Sequence, residues 1–573
     1  MVNWFRPSIL LQTGLKSVIS GLFGDYADRR EMQAALDVPA AGSSINEEIS
    51  EYIKRDEIWV DFISDTGDGF NPTYSIASTA AQQHLSVETG TGVKKTLPRA
   101  NILILGGDQI YPTPTAEFYD ISFRIPFESA LPKDDDDKNA PNMYAIPGNH
   151  DWYDGLGSFM KVFCQQRWIG NWKTLQTRSY FALALPHNYW IWATDIQLNG
   201  DIDKPQLNYF KDVAIKKMQA GDKVILCTAE PAWVYKQLYS KDTSYEKLRF
   251  FIETYITDDK AECIGKKFQL AVVLTGDLHH YAHYCFKDEE NRSNHYIGAG
   301  GGGAFLHLTH NLPETLDKLN ENESTPQGIV TLQKTFPEKE DSRQLVFGNL
   351  AFPIKNFYFS MLLGVIYLVF YWQLQSRFNL KEGGNFLEYL QDIPFLRYLS
   401  ETGTALLNTP FLAIISLLLI LGFYKLTDTK TGRRFIWIWG LIHGLIQCCL
   451  IYVMIWSIAQ IPHESIDPTI WTILFIAGLW VTGWLLGGFI MGLYLLISNL
   501  LGTHLDESSS SLASEHYKNF LRMSINQEGL TIYPIGIKKV TTKWKQAEKE
   551  GKVSFSGPLP EYHLIEKPIF IKK

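Results

Sequence analysis

The stretch AVVLTGDLHHYAHY, residues 271–284, begins as an apolar run rich in β-branched residues and ends in Gly276-Asp277-Leu278-His279-His280. Such a run predicts a buried strand, because β-branched side chains favour the extended backbone. The glycine ends the strand, and a carboxylate and two imidazoles follow it directly. The pattern therefore predicts a binding site at the end of this strand.

Four other apolar runs in residues 55–300 end in a similar way. The runs IWVDFIS, NILILG, MYAIP and KVILCTA lead into Asp65-Thr66-Gly67-Asp68, Gly107-Asp108-Gln109-Ile110-Tyr111, Gly148-Asn149-His150-Asp151 and Glu230-Pro231. Helix-compatible segments separate these runs, which predicts an α/β domain around a core sheet. In open α/β sheets, ligand groups gather beyond the carboxyl ends of the strands. We therefore expect one crevice to contain Asp65, Asp108, Asn149, Glu230, Asp277 and His279.

Carboxylates this close together repel one another unless cations lie between them. Oxygen donors together with an imidazole suit divalent manganese, iron, zinc or magnesium. A single Gly-Asp pair is most often a turn, whereas five strand ends in this order form a specific pattern. The sequence therefore predicts a metal site.

The ordered motifs resemble those of the calcineurin-like metallophosphoesterase superfamily: D-x-H or D-x-G, then GD, then GNH followed by D or E, then a lone H, then GHxH. The resemblance covers residues 55–310, and Gly148-Asn149-His150-Asp151 is its most specific part. Gly67, together with Tyr111 three residues after Asp108, is similar to the purple acid phosphatase variant, whose tyrosine binds the first metal. The resemblance implies a four-layer α-β-β-α fold with a two-metal centre.

The resemblance also implies a role for each site residue. One ion would be held by Asp65, Asp108, Tyr111 and His279, and the other by Asp108 as the bridge, Asn149, Glu230 and Asp277. The implied reaction is phosphoester hydrolysis, in which a hydroxide between the two metals attacks phosphorus. We expect His150 to bind the phosphate or protonate the leaving oxygen, and Asp151 to orient His150.

The chain departs from the family at two positions, since Glu230 and Asp277 stand where the family has histidine. With Asp65 and Asp108 they bring a charge of −4, which matches the +4 of two divalent ions. Hard ions are then favoured, so we expect manganese, iron or magnesium rather than zinc.

Several residues have a structural interpretation beside the functional one. Tyr111 is either a ligand or a packed tyrosine, because a phenolate ligand normally accompanies Fe(III) and the expected compartment is reducing. His150 is otherwise a histidine in a polar turn. Asp68 is either a carboxylate that fills the gap left at Gly67 or, in the favoured interpretation, a solvated turn carboxylate. The glycine-rich stretch at 297–310 is interpreted as a close backbone approach beside the site.

The composition changes sharply near Lys355, where long apolar segments begin. Four of them predict about four transmembrane helices in residues 356–502: 357–372, 404–424, 435–461 and 470–502. The last segment, of about 33 residues, fits one long tilted helix better than two spans.

These segments define the expected domains. Residues 1–50 form an N-terminal helical or irregular extension, 51–345 the metallophosphoesterase domain, and 503–573 a tail with short strands. We expect the tail to pack as extra strands against the first domain or the membrane face. The loop after the second span is basic, with Lys425, Lys430, Arg433 and Arg434. The positive-inside rule then predicts a multi-pass cell-membrane protein whose first domain and tail are cytosolic.

The bulk composition narrows the choice of partners. A net charge of −8 and a pI near 6.0 predict no nucleic-acid-binding surface. Six cysteines without a CxxC pair suit a reducing compartment. The expected partners are the lipid bilayer and a phosphoester, either lipid-linked or nucleotide-derived.

Three functions are compatible with these observations. The first is a membrane-anchored phosphoester hydrolase at the cytosolic face. The second is a catalytically weak or inactive binding or regulatory protein of the same fold, which its altered ligands would explain. The third is a transporter with a regulatory phosphoesterase-like head, against which the few polar residues in the spans argue.

Overall fold

The computed structural model describes residues 1–23, 52–90, 92–137, 139–196, 201–257, 264–287, 293–320, 329–382, 386–428, 430–432, 436–549 and 552–573. Most of the expected N-terminal extension lies outside the described residues, as do Arg433 and Arg434 of the basic loop. The chain forms two compact units. The first contains Met1–Val2, Leu11–Arg343 and Ala513–Lys573, and the second contains Asn3–Leu10 and Gln344–Leu512.

The strands of the described chain belong to the first unit. They are β1 Ile58–Ile63, β2 His84–Glu88, β3 Lys94–Pro98, β4 Ile102–Leu105, β5 Asn142–Ala145, β6 Trp168–Ile169, β7 Trp172–Thr174, β8 Phe181–Ala184, β9 Tyr189–Ala193, β10 Lys223–Cys227, β11 Gln269–Thr275, β12 Tyr281–Lys287, β13 Ser293–Ala299, β14 Val330–Phe336, β15 Lys518–Asn526, β16 Gly529–Ile537, β17 Lys545–Lys549, β18 Lys552–Ser556, β19 His563–Leu564 and β20 Ile569–Lys572.

Helices separate these strands and make up most of the second unit. They are α1 Pro7–Phe23, α2 Phe70–Ala80, α3 Ala116–Phe118, α4 Ile125–Ala130, α5 Asn149–Trp152, α6 Gly157–Phe163, α7 Lys204–Lys217, α8 Ala232–Leu238, α9 Ser244–Phe251, α10 Lys339–Leu345, α11 Phe352–Lys355, α12 Phe357–Glu382, α13 Phe386–Asp392, α14 Phe395–Asn408, α15 Pro410–Lys425, α16 Ile436–Ala459, α17 Pro468–Thr482, α18 Gly488–Leu500 and α19 Leu505–Leu512.

Two mixed sheets form the frame of the first unit. The larger has nine strands in the order β19-β16-β15-β1-β4-β5-β7-β6, with β20 beside β16, and the smaller has the order β14-β12-β13-β11-β10-β9-β8. The central strands are buried along their whole length, as β1 and β4 show. This explains their continuous apolar runs, because a strand covered on both faces needs no polar alternation. The predicted α/β class is confirmed, and the four-layer arrangement stays a prediction.

The tail after the apolar segments completes the larger sheet. Strand β15 pairs antiparallel with β1 from Ile58 to Phe62, and β16 pairs with β15 in turn. The first unit is therefore discontinuous, since the chain leaves it at Arg343 and returns at Ala513.

In the second unit, three helices of the described chain are long and apolar enough to cross a membrane: Phe357–Phe378, Ile436–Ala459 and Pro468–Leu500. A fourth candidate is the pair α14 and α15, which is bent by 99°. The last segment is one helical span of 33 residues, as its length indicated, in which a π-helical turn at Gly483–Gly487 joins α17 to α18. Its glycines allow close packing, because a Cβ at Gly483 would lie 2.7 Å from Gly364 Cα. Within α16, Gln447 donates to Gly487 O at 2.9 Å, a hydrogen bond between two helices of this unit.

Candidate metal centre

The expected site residues follow strands whose carboxyl ends point the same way. In the larger sheet β1, β4 and β5 are parallel neighbours, and in the smaller sheet β10 and β11 are parallel neighbours. Parallel strands bring the residues after them to a common edge. The residues after these five strands are Asp65, Asp108, Asn149, Glu230 and Asp277.

Three of these aspartates have left-handed backbone conformations. The φ angles are 59° at Asp65, 48° at Asp108 and 66° at Asp277. Such conformations are unfavourable for residues with a side chain and collect at functional sites. The strand ends that carry these aspartates therefore show the backbone strain that is typical of functional sites.

One compact donor group surrounds the Tyr111 hydroxyl. Its oxygen lies 3.1 Å from Asp65 Oδ1, 3.2 Å from Asp108 Oδ2 and 3.0 Å from His279 Nε2. Ligands at right angles around an ion, each about 2.1 Å from it, lie about 3.0 Å apart. The three distances from the Tyr111 oxygen thus fit neighbouring ligands of one divalent ion, and His279 Nε2 lies farther from Asp65 Oδ1, at 3.8 Å.

The ring of His279 is oriented for this role. Its Nδ1 donates to the carbonyl of Phe305 at 2.8 Å, which leaves a lone pair on Nε2 toward Tyr111 and Asp65. Burial, together with the neighbouring His307 ring, holds the pKa of His279 well below its usual value. The imidazole is therefore neutral, the form that binds a metal, and its second nitrogen is fixed by a backbone carbonyl.

The residues expected at the second ion show a less compact arrangement. The buried Oδ1 of Asn149 has no hydrogen-bond partner among the residues that the structure describes. Asp277 reaches Asp65 through its backbone N–H, which donates to both carboxylate oxygens at 3.1 and 2.9 Å. Its own carboxylate accepts from Tyr235. A buried amide oxygen without a donor suits a cation, since a buried acceptor otherwise needs a hydrogen-bond partner.

The electrostatics also favour a cation at this place. Burial, followed by the charge of a neighbouring carboxylate, raises the pKa of both Asp65 and Asp108 well above the ordinary value. Burial and then the Asp277 charge raise the pKa of Glu230 to about 8. Within the described ranges, no three His, Cys, Asp or Glu side chains alone close on one ion. The first donor group is compact only because it includes the Tyr111 oxygen.

His150 and Asp151 have different surroundings from those expected. The Nδ1 of His150 donates to Pro112 O at 2.8 Å, and its backbone N–H donates to Asp108 Oδ1 at 2.8 Å. The Asp151 carboxylate instead accepts from the N–H groups of Gly148 and Gln109 and from the Tyr119 hydroxyl. In the structure Asp151 therefore ties two strand-end loops together, and a backbone carbonyl orients His150.

The sequence interpretation of Asp68 was wrong. Its side chain is 5% exposed, and Oδ2 accepts from the N–H of Phe305 at 2.9 Å, so it is not a solvated turn residue.

Sequence reasoning also missed Lys518, which is fully buried and donates to Ala304 O at 2.5 Å. Burial lowers the pKa of Lys518 to about 7. No local signal marks Lys518, because its partners lie hundreds of residues away.

The glycine-rich stretch confirms the expected close backbone approach. A Cβ at Gly300 would lie 2.6 Å from Asp65 Oδ2, and one at Gly302 would lie 2.8 Å from Ile63 Cγ2. Gly276 is packed even more closely, since its Cβ would overlap Ser64 Oγ and Asp65 Oδ2. The carboxylate of Asp65 thus lies against glycines on two sides.

Gly276→Ala is expected to weaken Mn²⁺ binding about 10- to 100-fold, the usual effect of disturbing groups that support a ligand. The added methyl group displaces the Asp65 carboxylate, and isothermal titration calorimetry measures the affinity. Gly298→Ala is the matched control, because its Cβ would find its nearest neighbours at 3.9 Å. Equal affinities for the two variants would show that Asp65 is not held by this contact.

Comparison with known proteins agrees with the motif assignment. Residues 58–281 match the family model described as calcineurin-like phosphoesterase. Among solved structures, the chain is similar to "GAP50 the anchor in the inner membrane complex of Plasmodium", with 12% identity, a TM-score of 0.31, and coverage of 44% of this chain and 74% of that one. It is also similar to "Structure of PhoD", with 11% identity, a TM-score of 0.29, and coverage of 49% and 62%.

The comparison with curated proteins found no match. The family match confirms the resemblance predicted from the ordered motifs, and it spans the strands that carry the donor residues. Residues 58–281 of this chain are a calcineurin-like phosphoesterase domain.

Proposed function

We propose that the protein is a metal-dependent phosphoester hydrolase anchored at the cytosolic face of a membrane. The observation that carries this proposal is the Tyr111 hydroxyl, which lies within 3.2 Å of donor atoms from Asp65, Asp108 and His279. These donors come from the ends of strands in both sheets. The family match of the same residues supports the reaction class.

The metal ligands we propose are those that the resemblance implied. One ion takes Asp65, Asp108, Tyr111 and His279, and the other takes Asp108, Asn149, Glu230 and Asp277. Two bound divalent ions would lower the pKa of a coordinated water, which supplies the hydroxide that attacks phosphorus, and their charge would neutralise the phosphoryl oxygens. The carboxylates at Glu230 and Asp277 make hard ions such as Mn²⁺ or Mg²⁺ better partners than Zn²⁺.

His150 is the proposed general acid or phosphate-binding residue. Burial lowers the pKa of His150 to about 4, so its imidazole is neutral before substrate binds. Nδ1 donates to Pro112 O, and Nε2 therefore carries the lone pair. An anionic phosphoryl group beside the ring favours the imidazolium form. Protonation of the leaving oxygen would then depend on bound substrate, which keeps the acid inactive in its absence.

The sheet pairing supports an even number of membrane crossings. Strand β1 precedes the apolar helices and β15 follows them, and the two are hydrogen-bonded neighbours. Both flanks of the helices then lie on one side of the bilayer. Three long helices and the bent pair α14–α15 give four crossings. The basic residues after α15 favour the cytosol for that side, where the substrate would be a lipid-linked or nucleotide-derived phosphoester.

The test uses the full chain in lipid nanodiscs. Metal content is measured first, and hydrolysis of p-nitrophenyl phosphate and its bis ester is then followed after EDTA treatment and addition of Mn²⁺. The proposal expects activity that EDTA removes and Mn²⁺ restores. Tightly bound zinc without a manganese response contradicts the metal assignment. Bound metal without hydrolysis of either ester favours a binding module instead.

Mn²⁺ affinity is expected to rise with pH up to about 8 and then level off. Below that value Glu230, whose pKa is raised to about 8, holds a proton that the metal must displace. One displaced proton corresponds to about tenfold in affinity per pH unit. Calorimetry at pH 6, 7, 8 and 9 measures this slope. Glu230→Gln should lower the slope by about one proton, whereas Glu88→Gln, at an exposed strand position, should leave it unchanged.

A further inference from the structure

The loop from Gly300 to Leu306 supports two of the proposed ligands at once. The N–H of Ala304 donates to the backbone carbonyl of Asp65 at 2.8 Å. The carbonyl of Phe305 accepts from His279 Nδ1 at 2.8 Å. Two consecutive residues, Ala304 and Phe305, therefore determine the position of the Asp65 backbone and the tautomer of the His279 ring.

A segment from the other end of the chain holds this loop at three points. The N–H of Leu306 donates to Ser514 O at 3.1 Å, and the N–H of Asn519 donates to Gly301 O at 3.0 Å. Between these two contacts, Lys518 Nζ donates to Ala304 O at 2.5 Å. Residues 514–519 thus grip the loop along its whole length, and they follow the membrane helices in the chain.

Lys518 occupies an unusual position for a lysine. Its side chain has no solvent exposure, and the opposite charge that most favours its ammonium form is Asp68, which is also buried. Asp68 in turn accepts from the N–H of Phe305 at 2.9 Å. Burying an ammonium group is unfavourable unless partners compensate its charge. If this position only filled space, an apolar side chain would be more stable there than lysine. Lys518 and Asp68 together hold the peptide between Ala304 and Phe305, which lies between the two peptides that support Asp65 and His279.

The packing between the loop and β15 leaves no space for a side chain at Gly301. A Cβ at Gly301 would lie 2.6 Å from Asn519 N and would overlap Asn519 Nδ2. A methyl group there forces the two segments apart. This gives a way to disturb the contact from the loop side, without changing Lys518.

We propose that Lys518 and Asn519 are positioning residues for the metal centre: Lys518 holds the loop at Ala304, Asn519 holds it at Gly301, and the loop in turn supports Asp65 and His279. The centre is complete only when the segment after the membrane helices has joined the sheet. This inference rests on the proposed function for its metal and adds a requirement for residues that lie outside the matched family region.

The test compares Lys518→Met, which removes the ammonium group at nearly constant length, with Lys539→Met, an exposed lysine of the same tail. Gly301→Ala is compared with Gly298→Ala in the same way. Hydrogen exchange of peptides covering residues 300–306 reports the grip without any metal. Calorimetry reports Mn²⁺ affinity, and turnover is measured at low and at saturating Mn²⁺.

Lys518→Met and Gly301→Ala are expected to exchange faster at residues 300–306 and to bind Mn²⁺ about 10- to 100-fold more weakly than their controls. Saturating Mn²⁺ should restore most of their turnover, which a folding defect would not allow. If Lys518→Met does not fold, Gly301→Ala decides the question.

Unchanged exchange at residues 300–306 overturns the proposal. Faster exchange with unchanged Mn²⁺ affinity overturns it as well, because the grip then does not reach the ligands. If the unaltered protein binds no Mn²⁺, the proposed function fails, and loop exchange still decides whether Lys518 holds the loop.

Discussion

Asp108→Asn is expected to lower Mn²⁺-dependent hydrolysis at least about 10³-fold, equivalent to about 4 kcal/mol of transition-state stabilisation. Asp108 is the proposed bridge between the two ions, so its loss weakens both positions. The change is nearly isosteric, and the amide retains an oxygen that can accept from the His150 N–H. Initial rates with p-nitrophenyl phosphate and its bis ester, over a range of Mn²⁺ concentrations, measure the effect.

The same substitution should leave the metal-free protein equally stable or more stable. The pKa of Asp108 is raised by burial and by the charge of Asp65, so an uncharged side chain relieves repulsion. Loss of activity with retained stability separates a ligand from a structural residue. Asp135→Asn, at a side chain that is 91% exposed, is the control. Activity within tenfold of the unaltered protein would remove Asp108 from the centre.

Arg522→Met is expected to destabilise the first unit by about 3–5 kcal/mol. Arg522 donates to Asp61 through Nε at 2.8 Å and Nη2 at 2.7 Å, and both side chains are buried. Removing the guanidinium leaves the Asp61 carboxylate buried without its cation. Thermal unfolding followed by tryptophan fluorescence measures the loss.

The defect should become smaller as the pH falls. Burial already raises the pKa of Asp61, and Arg522 opposes this shift, so the variant raises it further. A buried acid with a raised pKa destabilises the fold once the pH exceeds its unfolded value, and protonation removes that cost. Asp61→Asn combined with Arg522→Met should therefore recover part of the stability at pH 7. Lys216→Met, in a surface pair with Asp212, should change stability by about 0–1 kcal/mol. If Arg522→Met also changed the stability by only about 0–1 kcal/mol, the pair of Arg522 with Asp61 would not stabilise the pairing of β15 with β1.

Two sequence expectations about the site changed for physical reasons. Asp68 follows a turn and looked solvated, but the loop around Phe305 covers it and donates to its carboxylate. Asp151 stands next to His150 in the chain, yet its carboxylate points at the N–H groups of Gly148 and Gln109. Short sequence distance says little about side-chain direction at a strand end, because the backbone turns sharply there.

Local sequence features were enough to predict the candidate ligands. Each donor stands within a few residues of an apolar strand, and a strand end is a local feature that composition and glycine positions reveal. The apolar helices were also readable, because about 20 consecutive apolar residues need no tertiary context to indicate a membrane span.

The contacts that support the candidate centre are visible only in the folded chain. Arg522 contacts Asp61, and Lys518 contacts Ala304. Each contact joins a residue that precedes the membrane helices in the sequence to one that follows them. No periodicity within a window of sequence encodes such a pairing. The pairing depends on which strand of the sheet still has an unpaired edge. That strand is β1, and β15 forms its backbone hydrogen bonds along this edge.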